Sequence, residues 1–197
     1  EKSKAKICLN QGGRLSSFSF ENTQILEDFD SSSYRDNYAS AILFPFANRI
    51  KDGKYTFKDY RYKLDCNETH KNNALHGLVY NKLFVLINKE LTSDFASVTL
   101  QYKDYGKVKG FPFKFQIELS YTLSKNGMTL AIKVKNKGKK TFPFTLGWHP
   151  YFYTTDLYKS SINFKSDKKY VCNEQQIITA TTALDLEMPF KLKDVKL

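Results

Sequence analysis

The sequence predicts an all-β fold, a large antiparallel β-sandwich, and three observations support this prediction. Apolar and polar residues alternate along several stretches, as they do in strands that bury one face. Turn residues separate these stretches at short intervals, which is typical of antiparallel sandwiches and barrels. No segment of about a dozen residues keeps the i, i+3, i+4 apolar stripe and the two caps that identify a helix.

The clearest strands form a hairpin in the middle of the chain. Apolar and polar residues alternate over residues 113–123, and again over residues 128–134 after the pair Asn126 and Gly127. An Asn-Gly pair between two such runs is the strongest short-range hairpin signal, because both central turn positions favour a positive φ.

Other strands are predicted on either side of this hairpin. Residues 96–102 alternate clearly, and a loop bracketed by Gly106 and Gly110 leads from them into the hairpin. Shorter strands are predicted over residues 83–91 and 161–164. Many strands with one polar face each favour an antiparallel arrangement over a parallel one.

Length and composition indicate one folded domain. The 197 residues suffice for a sizeable core, and the 16 Phe, 13 Tyr and 1 Trp exclude intrinsic disorder. The longest apolar run, AILFPFA over residues 41–47, is far shorter than the roughly 18 residues of a membrane span. No repeat or low-complexity linker divides the chain. We therefore predict a single domain over residues 1–197 and no membrane partner.

The charge is strongly basic, with a formal net charge of +11. Only four of the 31 basic residues are arginine, whose planar guanidinium suits phosphates and base edges better than lysine does. The lysines are spread along the whole chain rather than gathered in one arm or face. We interpret them as a solvated surface and expect no nucleic-acid partner; a polyanion-binding β protein is the alternative.

The cysteines and the first residues indicate the compartment. Cys8, Cys66 and Cys172 are odd in number, far apart and without a C-x-x-C spacing, so reduced thiols are favoured over disulfides or a zinc site. The first ten residues, EKSKAKICLN, contain no apolar signal-peptide core. We expect a cytoplasmic protein.

Two segments that interrupt the alternation contain candidate site residues. In LFPFANRIKDGKY, Asn48 and Arg49 follow an apolar run, and the guanidinium could offer its donors to ligand hydroxyls. In NNALHGLVY, His76 precedes Gly77, which permits close approach of another backbone. Each segment alone also fits a structural role, as a surface arginine beside a turn or a satisfied core histidine.

A third segment, TLGWHPYF, places His149 among Trp148, Tyr151 and Phe152. Such a setting suits a sugar, because apolar sugar faces pack on aromatic rings while an imidazole transfers protons. An aromatic corner that closes the sandwich is the structural alternative.

Several other kinds of site are excluded by their missing motifs. The chain has no glycine-rich phosphate loop, no G-x-S-x-G nucleophile elbow and no H-E-x-x-H. Its three histidines, His70, His76 and His149, are too few and too scattered to indicate a metal by spacing. The spacing of these residues therefore gives no indication of a metal site.

Four motifs occur in a characteristic order along the chain. Gly12-Gly13 comes first, then N-R-I followed by D-G-x-Y, then L-H-G, then H-P-Y-F, with His149 lying 73 positions after His76. This series resembles the aldose 1-epimerase (galactose mutarotase) family over essentially the whole chain. The resemblance implies the family's large antiparallel β-sandwich, the galactose mutarotase-like supersandwich. It also implies an isomerase of carbohydrate metabolism that interconverts the α and β anomers of free aldoses without a cofactor or metal.

The resemblance also implies roles for individual residues. His149, in H-P-Y-F, matches the general acid that protonates the sugar ring oxygen, and His76 matches a second catalytic histidine on the ring-oxygen side. Asn48 and Arg49 match substrate-binding positions, as does Tyr151. An imidazole with an unperturbed pKa near 6.5 can donate or accept a proton at neutral pH.

The chain departs from the family pattern at its C-terminal side. The family's general base is a glutamate near the C-terminus, preceded by a substrate-binding aspartate. This chain stops at residues 193–197, roughly where the aspartate region should begin, and is expected to be an incomplete family member. Glu174, Asp185 and Glu187 lie in no matching motif and are not assigned as the base. We expect these 197 residues to bind a sugar without their base.

Two alternative functions on the same fold follow. Without a base, the chain would be a non-catalytic carbohydrate-binding module. A hexose-6-phosphate 1-epimerase is the other alternative, which the lysine surplus keeps open. Members of that branch follow H-G with an arginine-bearing stretch, whereas this chain has Val79 and Tyr80 there, which favours a neutral sugar. Neither the preferred aldose nor the oligomeric state follows from the sequence.

Overall fold

The fold was analysed in a computed structural model of the chain, which describes residues 3–28, 34–185 and 188–192. Two compact units are present, Glu1–Phe152 and Tyr153–Leu197. The prediction of a single domain stays a prediction. No helix in the described part of the chain is long and apolar enough to cross a membrane.

The first unit consists of short and long strands with very little helix. Its strands are β1 (Lys4–Cys8), β2 (Arg14–Phe20), β3 (Thr23–Glu27), β4 (Ile42–Leu43), β5 (Arg49–Lys51), β6 (Lys54–Phe57), β7 (Tyr60–Lys63), β8 (Asn73–Leu75), β9 (Val85–Leu91), β10 (Phe95–Tyr105), β11 (Lys114–Ser124), β12 (Gly127–Asn136) and β13 (Gly147–Trp148). One short helix, α1 (Tyr34–Asn37), and a 3₁₀ turn at Thr69–Lys71 complete the unit as described.

The central hairpin is confirmed. Strands β11 and β12 pair in antiparallel register from Phe115 opposite Asn136 to Ser124 opposite Gly127. Along β11 the apolar side chains are buried from Phe115 to Tyr121, while the polar residues between them are partly exposed. The period-two pattern of the sequence therefore corresponds to one face of a sheet turned to the core.

Two sheets supply the core of this unit. One has the strand order β1-β2-β3 and the other β12-β11-β10-β9, and every strand pair in the described residues is antiparallel. A single buried cluster joins Leu15 and Leu26 of the first sheet to Leu100, Ile117 and Leu119 of the second. Two sheets with a shared apolar layer are the predicted antiparallel sandwich.

Short strand pairs at one side of the sandwich contain the sequence motifs. Strand β4 pairs with β13, β5 pairs with β8, and β6 pairs with β7. The segment of residues 41–51 therefore pairs at its start with the strand before His149 and at its end with the strand before His76.

The second unit is small and also built of antiparallel pairs. Its strands are β14 (Ser161–Ile162), β15 (Lys168–Cys172), β16 (Ile178–Ala183) and β17 (Phe190–Lys191). Strand β14 pairs with β17 and β15 with β16, and a 3₁₀ turn lies at Leu157–Lys159.

Two of the shorter predicted strands differ in length from the observed ones. The strand predicted over residues 83–91 begins at Val85, and the one predicted over residues 161–164 ends at Ile162. The helix α1 was not predicted because four residues are too few to show an apolar stripe.

Candidate functional site

The backbone of His76 is fixed by the segment that contains Asn48 and Arg49. His76 has a positive φ of 61°, and its N–H donates to the carbonyl oxygen of Asn48 at 2.9 Å. The next residue, Gly77, has a φ of 76° and lies so close to Phe44 that a Cβ there would meet the Phe44 carbonyl oxygen at 2.3 Å. A glycine at position 77 is therefore what lets the His76 loop approach strand β4.

The backbone of His149 is fixed by the same part of the chain. Its N–H donates to the carbonyl oxygen of Ala41 at 3.1 Å, and its own carbonyl oxygen accepts from the N–H of Ser40 at 2.7 Å. These two bonds continue the pairing of β13 with β4, in which Trp148 lies opposite Ile42.

This arrangement brings the two histidines together. The centres of their imidazole rings are 5.0 Å apart, and we call His76 and His149 the histidine pair. The ring of Tyr38 meets His76 edge-on at 4.9 Å, and the ring of Tyr151 lies 5.4 Å from that of His149. Two histidines separated by 73 residues in sequence thus share one aromatic setting.

Burial lowers the pKa of both histidines. The pKa of His76 is lowered from 6.5 to about 4, mainly by desolvation and also by the positive charges of His149 and Arg49, against a smaller opposing effect of Glu68. Desolvation also lowers the pKa of His149, but the carbonyl oxygens of His149 and Tyr38 oppose that shift. His149 is therefore the member of the pair whose protonated form is stabilised by carbonyl oxygens.

The ring nitrogens of the pair also have an unusual property. The buried Nδ1 atoms of His76 and His149 have no hydrogen-bond partner among the described residues. A buried polar atom without a partner costs free energy and is uncommon outside functional sites. The site therefore resembles a reactive centre more than a satisfied core.

The Arg49 guanidinium donates hydrogen bonds to two neighbouring side chains. Its Nε and Nη2 donate to the two carboxylate oxygens of Glu68 at 2.8 and 2.7 Å, and its Nη1 donates to Oδ1 of Asn48 at 3.3 Å. The Arg49 side chain keeps 22% of its surface exposed, while that of Glu68 keeps 6%. Hydrogen bonds from Arg49 lower the pKa of Glu68 from 4.5 to about 2, against the effect of burial.

The remaining predicted binding residues lie on either side of the pair. Asn48 has a φ of 64°, which orients its carbonyl oxygen toward His76. Tyr151 is 41% exposed, and its hydroxyl donates to the carbonyl oxygen of Asn37 at 3.0 Å. All five residues predicted as catalytic or binding thus lie in one network of backbone bonds and ring contacts.

Sequence reasoning missed the residues that support this network. Tyr38, with burial raising its pKa to about 12, packs on His76, and Asn67 donates to the Tyr38 hydroxyl at 3.0 Å. The Asn67 side chain also pairs with the backbone N–H and carbonyl of Leu75, directly before His76. Asn67 and Glu68 precede L-H-G without forming a motif of their own, so no local signal identified them.

The sequence left three carboxylates near its end unassigned. Glu174 and Asp185 belong to the second compact unit, and Glu187 lies outside the described residues. Among the residues the structure describes, no group of three or more His, Cys, Asp or Glu side chains could hold a metal ion.

A sequence model of one protein family, aldose 1-epimerase, matches residues 2–196. The chain belongs to the aldose 1-epimerase family. Family membership explains why the four motifs occur in this order.

Individual relatives agree with this membership. The chain is 27% identical over 143 residues to the uncharacterized protein YphB of Escherichia coli K12, covering 73% of this chain and 47% of that protein. It is 27% identical over 166 residues to the galactose mutarotase of Rattus norvegicus, covering 79% and 47%. The chain therefore spans about half the length of the curated relatives it matches.

A solved structure shows the same fold. A galactose mutarotase-like protein from Clostridium acetobutylicum superimposes with a TM-score of 0.82 at 25% identity, covering 92% of this chain and 59% of that one. The sandwich described above is therefore the galactose mutarotase-like fold.

Substituting Gly77 tests the contact that positions His76. Gly77→Ala should lower the free energy of unfolding by about 2–4 kcal/mol, because it adds overpacking against Phe44 to the cost of a left-handed backbone. Gly127→Ala is the matched control, since Gly127 also has a positive φ but no atom within 4 Å of its Cβ position. Equal losses for the two variants in urea unfolding would show that the Phe44 contact is unimportant.

The lowered pKa of Glu68 predicts how the folding stability depends on pH. Its folded pKa of about 2 lies below the ordinary 4.5, so its stabilising effect is present above pH 4.5 and is lost between pH 4.5 and 2. The stability gap between wild type and Glu68→Gln should therefore be constant near neutral pH and shrink over that interval. Asp65→Asn, in an exposed ion pair with Lys109, should change stability by less than about 1 kcal/mol. A gap that does not vary with pH would contradict the assignment.

Proposed function

We propose that the histidine pair catalyses interconversion of the α and β anomers of a free aldose. The observation that supports this most strongly is the 5.0 Å separation of two partly buried imidazoles with unpartnered Nδ1 atoms, flanked by tyrosine rings. A pyranose has apolar faces that pack on such rings and oxygens that meet the imidazoles.

The reaction requires two proton transfers on one sugar. The C1 hydroxyl loses its proton to a base, and the ring oxygen gains one from an acid as the bond between C1 and the ring oxygen breaks. The open aldehyde rotates about C1–C2, and the ring oxygen attacks the other carbonyl face with the proton transfers reversed. No net atom or charge is gained, so neither an oxidant nor a cofactor is needed.

His149 is the acid in this proposal. Carbonyl oxygens near its ring favour the protonated form, whereas His76 is disfavoured as a cation by His149 and Arg49. His76 therefore remains neutral and meets the ring-oxygen side of the sugar by hydrogen bonding. Positioned acids and bases of this kind contribute about 10²–10⁴-fold each.

Three further residues are proposed to bind the sugar. Arg49 has its guanidinium oriented by Glu68 and keeps 22% of its side-chain surface exposed. Asn48 lies directly beside it, and the half-exposed Tyr151 ring offers an apolar surface next to His149. A free aldose of the galactose or glucose type is the proposed substrate, since the relatives include proteins named galactose mutarotase.

The base that receives the C1 proton is not assigned to any residue. Glu68 is engaged by Arg49 and Asn73, and its lowered pKa makes it a poor proton acceptor. The assay should therefore supply a carboxylate in solution, because acetate can accept the C1 proton when no protein carboxylate does.

The test follows the optical rotation of freshly dissolved α-D-galactose with the 197-residue chain, with and without acetate. Relative to the same acetate buffer without protein, we expect an acceleration that rises with acetate and that His149→Ala lowers by about 100-fold or to the buffer rate. His70→Ala is the matched control, because His70 is exposed in the 3₁₀ turn at Thr69–Lys71 and should leave the rate unchanged.

Two outcomes would contradict the proposal. A His149→Ala rate within about threefold of wild type would remove His149 from the mechanism, since a positioned acid contributes far more. Galactose binding without any acceleration, in acetate or without it, would instead support a carbohydrate-binding module.

A further inference from the structure

One arginine is wholly enclosed in the first unit. Arg14 has no exposed surface and forms an ion pair with Asp28, whose side chain is 7% exposed. Its Nε donates to Oε1 of Gln11 at 2.8 Å, and its guanidinium carbon lies 4.2 Å from the centre of the Tyr34 ring. A buried guanidinium with a carboxylate, an amide and a ring face has most of its bonding satisfied.

The remaining contact of Arg14 reaches the segment before β4. Its Nη1 donates to the carbonyl oxygen of Ala39 at 3.2 Å, in a bond that is buried. Ala39 lies between Tyr38 and Ser40, which both have positive φ values, of 53° and 58°. Two non-glycine residues in that conformation carry backbone strain, which persists only where surrounding contacts hold it.

The segment of residues 38–41 contacts both members of the histidine pair. Ser40 and Ala41 make the two backbone hydrogen bonds to His149, and Tyr38 packs on the ring of His76. A bond to the Ala39 carbonyl thus acts in the middle of the segment that orients both imidazoles.

A second connection runs from Arg14 through the Tyr34 ring, which packs against the guanidinium. The Tyr34 hydroxyl donates at 2.8 Å to the carbonyl oxygen of Tyr80, four residues after His76. The Tyr80 ring in turn meets Tyr38 edge-on at 5.0 Å. Arg14 therefore connects with the His76 loop from a second direction.

We propose that Arg14, paired with Asp28, is a positioning residue that holds residues 38–41 and through them orients His76 and His149. The effect of Arg14 on catalysis rests on the proposed function, but the orientation of the two imidazole rings is measurable without any reaction. The bond from Arg14 to the Ala39 carbonyl oxygen and the packing of Tyr38 on His76 transmit the effect.

Stability alone does not reveal such a role. Replacing a buried ion pair by neutral side chains of similar volume is often neutral or stabilising, whereas removing one partner leaves an unpaired buried charge. The informative variant is therefore Arg14→Met with Asp28→Asn, which removes both charges and also the bond to the Ala39 carbonyl. Lys109→Met with Asp65→Asn removes an exposed ion pair and is the matched control.

The experiment records the imidazole ¹H–¹⁵N spectra of the 197-residue chain and its variants without sugar, and then with galactose. In the Arg14 double variant we expect the signals of His76 and His149 to shift while His70 stays in place, and galactose binding to weaken about tenfold or more. The control double variant should match wild type in both measurements.

One result would contradict the positioning role of Arg14. A folded Arg14 double variant with wild-type signals for His76 and His149, even if it melts earlier, would show that the ion pair only stabilises the fold. Should that variant not fold, Arg14→Lys keeps the charge beside Asp28 but loses the guanidinium's further donors, and the same shifts are expected. If galactose shifts no histidine signal of the wild-type chain, the proposed function is wrong. The spectra recorded without sugar test the role of Arg14 independently of that result.

Discussion

The close approach of the Gly77 backbone to the Phe44 carbonyl is the constraint on which the site depends. It lets the His76 loop lie beside β4, and the Leu78 N–H completes the contact by donating to the Phe44 carbonyl oxygen at 2.7 Å. Strand β4 pairs on its other side with β13, which leads into His149. Two distant parts of the sequence thus meet because both pair with one short segment.

Two arginine–carboxylate pairs support this geometry from opposite directions. Arg49 with Glu68 lies beside His76, and Arg14 with Asp28 lies behind the segment of residues 38–41. Each guanidinium donates hydrogen bonds to a carboxylate and also to an oxygen of another residue, the Ala39 carbonyl for Arg14 and Oδ1 of Asn48 for Arg49. The guanidinium groups therefore fix the positions of neighbouring atoms, and the charge of Arg49 adds to the effect of burial in lowering the pKa of His76.

The sandwich and its central hairpin were predictable from the sequence because strand alternation and an Asn-Gly turn are local signals. The candidate residues His76, His149, Asn48, Arg49 and Tyr151 were proposed from the sequence because their motifs are short and ordered, and their roles stay predictions. Tyr38 and Arg14 were not, since their importance comes from contacts with residues far away in sequence. A buried arginine in an alternating strand carries no local mark that separates it from a surface one.

The central claim is that His76 and His149 form a single sugar site. The most direct measurement is a galactose titration of the 197-residue chain, followed by the imidazole ¹H–¹⁵N signals of its three histidines. The account predicts that His76 and His149 shift together on one binding curve while the exposed His70 does not move. A binding curve seen in the signal of only one of the two histidines, or an equal shift of the His70 signal, would contradict the claim.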